Sequence, residues 1–189
     1  GGTSWIPLTD QLPSMVMYAI GIDPTNTNNV FFGTQGIGIY KSTNGGTSMS
    51  AVNSGYPTSS TTNKIIVHPS NSSIVLSATS SGIYRSTNGG STWSQVASGG
   101  YNDIEFKPND PNTVYACGNT FFKSTNGGTS FTQISNGITA SGRSFIAVTP
   151  ANPSYVYMLQ ARGNEFGALY RSTDSGTSFV TRVTGNAAS

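Results

Sequence analysis

The sequence predicts an all-β chain assembled from a repeated four-stranded unit, and three observations carry that prediction. The octapeptide STNGGTSM at 42–49 returns as STNGGSTW at 86–93, STNGGTSF at 124–131 and STDSGTSF at 172–179. A second, unrelated landmark runs in step with it: IGIDPTNTNNVFF, IIVHPSNSSIVLS, IEFKPNDPNTVYA and IAVTPANPSYVYM. Between these, short runs of β-branched and aromatic residues alternate with Asn, Gly and Pro clusters, and no segment holds a helical period.

The first residues of the four boxes, Ser42, Ser86, Ser124 and Ser172, stand 44, 38 and 48 residues apart, and the landmark prolines Pro24, Pro69, Pro108 and Pro150 keep nearly the same step. A unit of about forty residues is in the range of a propeller blade. Within each unit a first strand (18–22, 145–148) stops at a residue-Pro pair, because proline cannot continue a central strand. A polar turn leads to a second strand (30–33, 155–159), a third (38–41, 168–171) enters the box, and a fourth (91–96) leaves it. The opening GGTSW reads as the tail of a fifth box ending on Trp5.

The box has a physical reading of its own. Asn-Gly between two β runs is a strong hairpin signal, since both residues tolerate positive φ. Asn44, Asn88, Asn126 and Asp174 can accept bonds from backbone N–H groups just ahead, with the leading serine doing similar local work. Gly46, Gly90, Gly128 and Gly176 permit a backbone that a Cβ would obstruct. Met49, Trp93, Phe131 and Phe179 close each box with a large apolar group, as an anchor tucked under the turn requires. These residues are expected to be structural rather than catalytic.

Bulk properties exclude several classes. Only 8% of residues are charged, but 11% are aromatic, an apolar content that disordered chains lack. A formal charge of +2 with no basic block gives no footprint for nucleic acid. Cys117 alone forms no intrachain disulfide here, and one cysteine with one histidine, His68, makes no ordinary zinc site. No apolar run approaches transmembrane length, so direct membrane insertion is not expected. No cofactor or metal is expected either. The oxygen-rich loops at 23–29 and 108–112 lack the spacing of a calcium loop.

The motif Ser-x-Asp-x-Gly-x-Thr-Trp resembles the Asp-box, or BNR repeat, of β-propellers such as sialidases, sortilin-type receptors and xyloglucan-cleaving glycosidases. The likeness covers essentially the whole chain and departs in having Asn at three of four Asp positions. It implies a hairpin between the third and fourth strands of a blade, remote from any active centre. A looser resemblance is to large secreted or surface-displayed bacterial proteins, including type IX secretion cargo. The expected architecture is four four-stranded blades plus one leading outer strand, part of a larger propeller: 1–9 as an outer strand of a preceding blade, then blades at 10–53, 54–98, 99–136 and 137–189. The ends are not expected to complete each other, because the last unit already has four strands of its own.

In a propeller the first strands line the central channel. Aligned on their prolines, one face reads Ile20 and Ile22, Ile65 and Val67, Ile104 and Phe106, Ile146 and Val148, which predicts core. The other face reads Ala19 and Gly21, Lys64 and Ile66, Asp103 and Glu105, Phe145 and Ala147. Only the third unit places two acids there. Residues i and i+2 project about 6.5–7 Å apart, near the lower end of the ~6.5–9.5 Å that inverting glycosidases use. The plainer expectation is that Lys64, at the same depth on the neighbouring strand, pairs with one of them. The residues before the prolines (Asp23, His68, Lys107, Thr149) read as strand ends meeting water. Lys41, Arg85, Lys123 and Arg171 precede every box, as a repeated structural contact or a solvated edge would require.

Extended loops at 135–144 and 160–170 mark a candidate working rim, with Arg143, Arg162, Glu165 and Phe166 as contact residues beside the Lys64, Asp103 and Glu105 group. The expected function is a non-catalytic section of a secreted or cell-surface propeller that displays or recognises glycans or proteins. Its other partners would be the remaining blades of the same protein. The alternatives are a section of a xyloglucanase-like glycoside hydrolase whose catalytic acids lie elsewhere, or an assembly factor docking through a propeller face, as the resemblance to some photosynthetic Asp-box proteins implies.

Overall fold

The computed structural model describes residues 2–3, 16–139 and 142–185. The lead-in strand expected over 1–9, and with it Trp5, falls outside them except for Gly2 and Thr3. Among the described residues there is no helix, and sixteen strands form four sheets of four. The first blade holds β1 (Met17–Ile22), β2 (Val30–Thr34), β3 (Ile39–Ser42) and β4 (Ser50–Ala51). The second holds β5 (Thr62–Val67), β6 (Val75–Thr79), β7 (Gly82–Ser86) and β8 (Ser94–Ser98). The third holds β9 (Asp103–Lys107), β10 (Asp110–Cys117), β11 (Phe121–Ser124) and β12 (Thr132–Ile134), and the fourth β13 (Ser144–Val148), β14 (Val156–Arg162), β15 (Glu165–Ser172) and β16 (Val180–Thr184). In each sheet the spatial order is the chain order, and all neighbours are antiparallel.

Neighbouring blades meet at their first strands: β1 lies beside β5, β5 beside β9 and β9 beside β13. That places the first strands on the inner side of the arc. Apolar clusters then fill each gap between blades. Phe31 and Ile39 of the first blade pack with Ile65, Val67, Val75 and Tyr84 of the second. Leu76 and Ile83 meet Ile104, Val114 and Ala116. Tyr115, Cys117 and Phe121 meet Ile146, Met158 and Tyr170. The second and third sheets, each with a neighbour on either side, therefore bury both faces, and residues of both parities along their strands are apolar.

The core prediction fails at one place. Ile65, Ile104 and Ile146 are buried, but Ile20 and Ile22, their equivalents on β1, are 58% and 53% exposed. Their face points away from the second blade, and no described strand packs against it. Phe106 and Val148 also depart from the core reading, being only half-buried.

The box is the same hairpin corner four times. Ser42 Oγ donates to Asn44 Oδ1 at 2.9 Å and accepts the Gly46 N–H at 2.8 Å. Asn44 Oδ1 also accepts the Ser48 N–H at 2.9 Å. Ser86, Ser124 and Ser172 repeat the serine contacts with Asn88, Asn126 and Asp174. Asparagine replaces aspartate at no loss, because the outer oxygen's role is inverted. Asn44 Nδ2 donates to Ser48 Oγ, whereas at Asp174 the Ser178 hydroxyl donates to the carboxylate.

The box glycine faces the preceding blade. A Cβ on Gly90, which has φ +87°, would stand 2.7 Å from Phe31 Cε1, and one on Gly128 would stand 2.8 Å from Leu76 Cδ1. The large closing residue likewise reaches across instead of tucking under its own turn. Trp93 packs edge-on to Tyr56 and donates from Nε1 to the Val52 carbonyl at 3.0 Å. Phe179 stands edge-on to Phe121 with ring centres 4.7 Å apart. Met49 and Phe131 are half-buried.

The cation before each box does the complementary work. Arg85 Nε donates to the Gly127 carbonyl at 3.1 Å, and Lys123 Nζ lies 3.2 Å from Thr177 Oγ1. Each bond ties a third strand to the box of the following blade.

Candidate functional site

On the inner side of the arc the residue-Pro ends of β1, β5 and β9 converge around a hollow of about 370 Å³. Its walls are apolar, from Ile22, Pro24, Val67, Pro69, Phe106 and Pro108, while Glu105 and Lys107 supply the charges. Each proline closes its strand at the same place in the repeat, and Asn109, just beyond Pro108, also lines the hollow. This volume and this mixture of apolar wall and few polar groups are those of small-ligand sites.

Lys64, Asp103 and Glu105 are brought together beside it. Lys64 Nζ lies 2.9 Å from Glu105 Oε1 and 3.5 Å from Asp103 Oδ1, so it pairs with both acids, not with one. Burial pushes the Glu105 carboxyl above its ordinary range, and the Lys64 bond only partly offsets this. At Lys64 burial works against the charge, but the two carboxylates outweigh it and raise the pKa. Asp103 is almost fully buried and committed on both oxygens. Oδ1 accepts the Ile104 N–H at 3.0 Å and Oδ2 the Ile146 N–H at 2.9 Å. It is a strut between the third and fourth blades. Glu105, with Oε1 on Lys64, is the acid that borders the hollow.

The oxygen-rich loops hold their own carboxylates. Asp23 Oδ1 accepts the Thr25 N–H and hydroxyl at 2.9 and 2.8 Å, and Oδ2 accepts Asn29 Nδ2 at 2.9 Å. Burial alone would raise this carboxyl, but donors from Ser72, Asn29 and Thr25 hold it far below the usual range. Asp110 accepts from Thr113 and Lys107. Among the described residues no cluster of three metal-ligating side chains occurs.

The rim residues lie elsewhere. Arg162 and Glu165 face each other across the β14–β15 turn, where Gly163 has φ +61°. Phe166 is exposed, and the Arg143 guanidinium sits 5.1 Å from the Phe145 ring centre. Among the described residues no hydrogen bond or ion pair joins this group to the Lys64 cluster. Of the residues that line the hollow, the sequence reading names only Glu105 as a site residue; Phe106 and Lys107 are the most chemically distinctive of those it misses. The available signal was that Phe106 is the one aromatic at a position otherwise occupied by Ile22, Val67 and Val148.

The fold is that of a β-propeller. The chain superposes on an ancestral GH74 enzyme with a TM-score of 0.77 at 24% identity, covering 99% of this chain and 26% of that one. It superposes on the GH74 xyloglucanase from Xanthomonas campestris at 0.65 and 15% identity, covering 87% of this chain and 29% of that one. It also superposes on an auxiliary nutrient binding protein from Bacteroides thetaiotaomicron at 0.66 and 15% identity, covering 92% and 43%. The chain thus spans between about a quarter and two fifths of these proteins' lengths. No protein-family profile and no curated protein matches it.

Proposed function

We propose that this chain is a non-catalytic section of a secreted or cell-surface Asp-box propeller, and that it recognises glycans through the inner hollow. The observation that carries the reading is the meeting of three proline-ended strands around an apolar space bordered by Glu105. A sugar ring offers apolar C–H faces to walls such as Phe106 and Pro108, and hydroxyl groups to a fixed carboxylate. A nutrient binding protein and a xyloglucanase among the structural neighbours support that ligand class. Asp103 supports the non-catalytic half of the reading, because it is buried and its two oxygens hold backbone N–H groups of two blades, the work of a strut.

The test is titration calorimetry with xyloglucan oligosaccharides and a panel of neutral glycans. Saturable binding that Glu105→Gln and Phe106→Ala each weaken about tenfold, or about 1.4 kcal/mol, is the expected result. Absence of binding across the panel overturns the reading. The GH74 likeness at a TM-score of 0.77 favours one second reading, a section of a glycoside hydrolase. Release of reducing sugar from xyloglucan, abolished by Glu105→Ala in a protein that keeps the wild-type circular dichroism, would establish it in place of the first.

A further inference from the structure

Asparagine followed by glycine occurs four times in the chain, at 44–45, 88–89, 126–127 and 136–137. The pair is chemically labile, because a glycine nitrogen with no Cβ beside it can reach the asparagine carboxamide carbon. All four asparagines are exposed, so access to water does not separate them. Hydrogen bonding does. In the three boxes the attacking N–H is already committed: Gly45 donates to the Asn28 carbonyl at 3.0 Å, Gly89 to Ser73 at 2.8 Å and Gly127 to Asn112 at 2.7 Å. The carboxamides are held as well. Asn88 Oδ1 accepts the Ser86 hydroxyl at 2.9 Å and the Thr92 N–H at 2.8 Å, while its Nδ2 donates to Thr92 Oγ1 at 2.9 Å. Ser42 and Ser48 hold Asn44 in the same way, and Ser124 and Ser130 hold Asn126.

Asn136 and Gly137 lie outside any box, in the link from β12 to β13. The turn there is closed by backbone alone, with the Ile138 N–H donating to the Ser135 carbonyl at 3.1 Å and Gly137 at φ +78°. Among the described residues no hydrogen bond holds the Asn136 carboxamide or the Gly137 N–H. The main chain of this link nevertheless has a fixed task. The Asn136 carbonyl accepts the Phe179 N–H at 3.0 Å, and Gly137 lies so close to the Phe179 carbonyl that a Cβ would overlap it. Phe179 closes the fourth box and is buried edge-on to Phe121 of the third blade.

We propose that Asn136 is a site of spontaneous deamidation, with water as the co-reactant, and that the fold shields the three box asparagines from the same reaction. The Gly137 nitrogen bonds to Asn136 Cγ, the Cγ–Nδ2 bond breaks, and ammonia leaves with the proton of the Gly137 N–H. Water then opens the cyclic imide at one of its two carbonyl carbons. Opening at Cγ leaves aspartate. Opening at the main-chain carbon leaves isoaspartate, in which the polypeptide runs through the former side chain. Either product adds a negative charge. The isoaspartate also lengthens the main chain by one carbon and takes the carbonyl that holds the Phe179 N–H out of its path. The junction of the third and fourth blades is thereby loosened, while the other two junctions keep their contacts.

Incubation of the 189-residue chain in mildly alkaline buffer, sampled over time and mapped by peptide mass spectrometry, tests this. Conversion of amide to acid should appear first at Asn136. At Asn44, Asn88 and Asn126 it should be at least about tenfold slower, since each must first open a hydrogen-bonded turn. In urea, with the chain unfolded, the four pairs should react at comparable rates, which assigns the difference to the fold and not to the flanking residues. Asn136→Gln, at an exposed side chain without a partner, removes the labile pair and should keep the wild-type circular dichroism. On ageing, the wild type should split on anion exchange into a more acidic form with a lower thermal midpoint, and Asn136→Gln should do neither. Box asparagines that react in the folded protein as fast as Asn136, or an Asn136 that stays intact while they react, overturn the proposal. An isoaspartate form with an unchanged thermal midpoint overturns the loosening of the junction.

Discussion

Lys41 Nζ, in the third strand of the first blade, donates at 2.7 Å to the carbonyl oxygen of Gly89 in the box of the second. The bond joins two copies of the repeated motif, the residue that precedes one box and the turn of the next. With Arg85 on Gly127 and Lys123 on Thr177, it accounts for the cation beside three of the four boxes in a chain where only 8% of residues are charged. At Lys41 and Arg85 the partner is the neighbouring blade's backbone and not the residue's own turn.

Replacing Lys41 or Arg85 by Met keeps most of the apolar stem and removes the donor. Each change should lower unfolding stability by about 1 kcal/mol, the range of a hydrogen bond from a charged group that water can partly replace. Urea midpoints of the two variants check this. No change in either would show that the contact is incidental.

Gly90→Ala tests the close approach of box and preceding blade. The added Cβ meets Phe31, which is 1% exposed and has no room to yield, at a backbone φ of +87°. Strain and overlap together should cost about 2–4 kcal/mol. Gly127→Ala, where nothing lies within 4 Å of the added carbon, carries only the φ penalty and should cost less. Thermal unfolding of the pair measures the difference.

Lys64→Met leaves two carboxylates facing each other without their cation. Because Lys64 is 38% exposed, the loss should be about 2 kcal/mol, below the ~3–5 kcal/mol of a fully buried pair. Burial already raises the Glu105 carboxyl above its ordinary 4.5, so the folded state takes up a proton there more readily than the unfolded chain does. Without Lys64 that preference grows. The destabilisation should therefore be larger at pH 7 than at pH 4, as denaturant titrations at the two pH values will show.

Asp174 gives the opposite sign. Burial would raise its carboxyl, but donors from Ser178, Ser172 and Thr177 prevail and hold it far below its ordinary 3.8. Its contribution is thus complete above the unfolded value and is lost as pH falls through the folded one. Asp174→Asn, which copies the other three boxes, should match the wild-type urea midpoint at pH 7. As the pH is lowered below about 4 it should become the more stable protein. An identical acid profile for both would contradict the account.

Much of this was legible in the chain because it rests on local chemistry. The box turn is closed by atoms within four residues of one another, so Ser42, Asn44 and Gly46 could be placed from spacing alone. Lys64 beside the acids followed from aligning first strands on their prolines. What lay beyond the sequence depends on which blade adjoins which. Ile20 matches Ile65 in type and position, yet it is exposed and Ile65 is buried, because their burial depends on what packs against each blade and not on the repeat itself. Trp93 was readable as an anchor, but its attachment to Val52 is a property of the gap between two sheets. The hollow bordered by Glu105 likewise belongs to three blades at once and to no single repeat.

Because every sheet is made from four consecutive strands, each blade's hydrogen-bonded ladder is a closed interval of the polypeptide. Severing the backbone at the exposed Gly99–Gly100 link between β8 and β9 would interrupt no ladder. The architecture therefore lends itself to duplication of a unit at a time. New blades could be inserted or removed at such junctions while every existing sheet stayed whole.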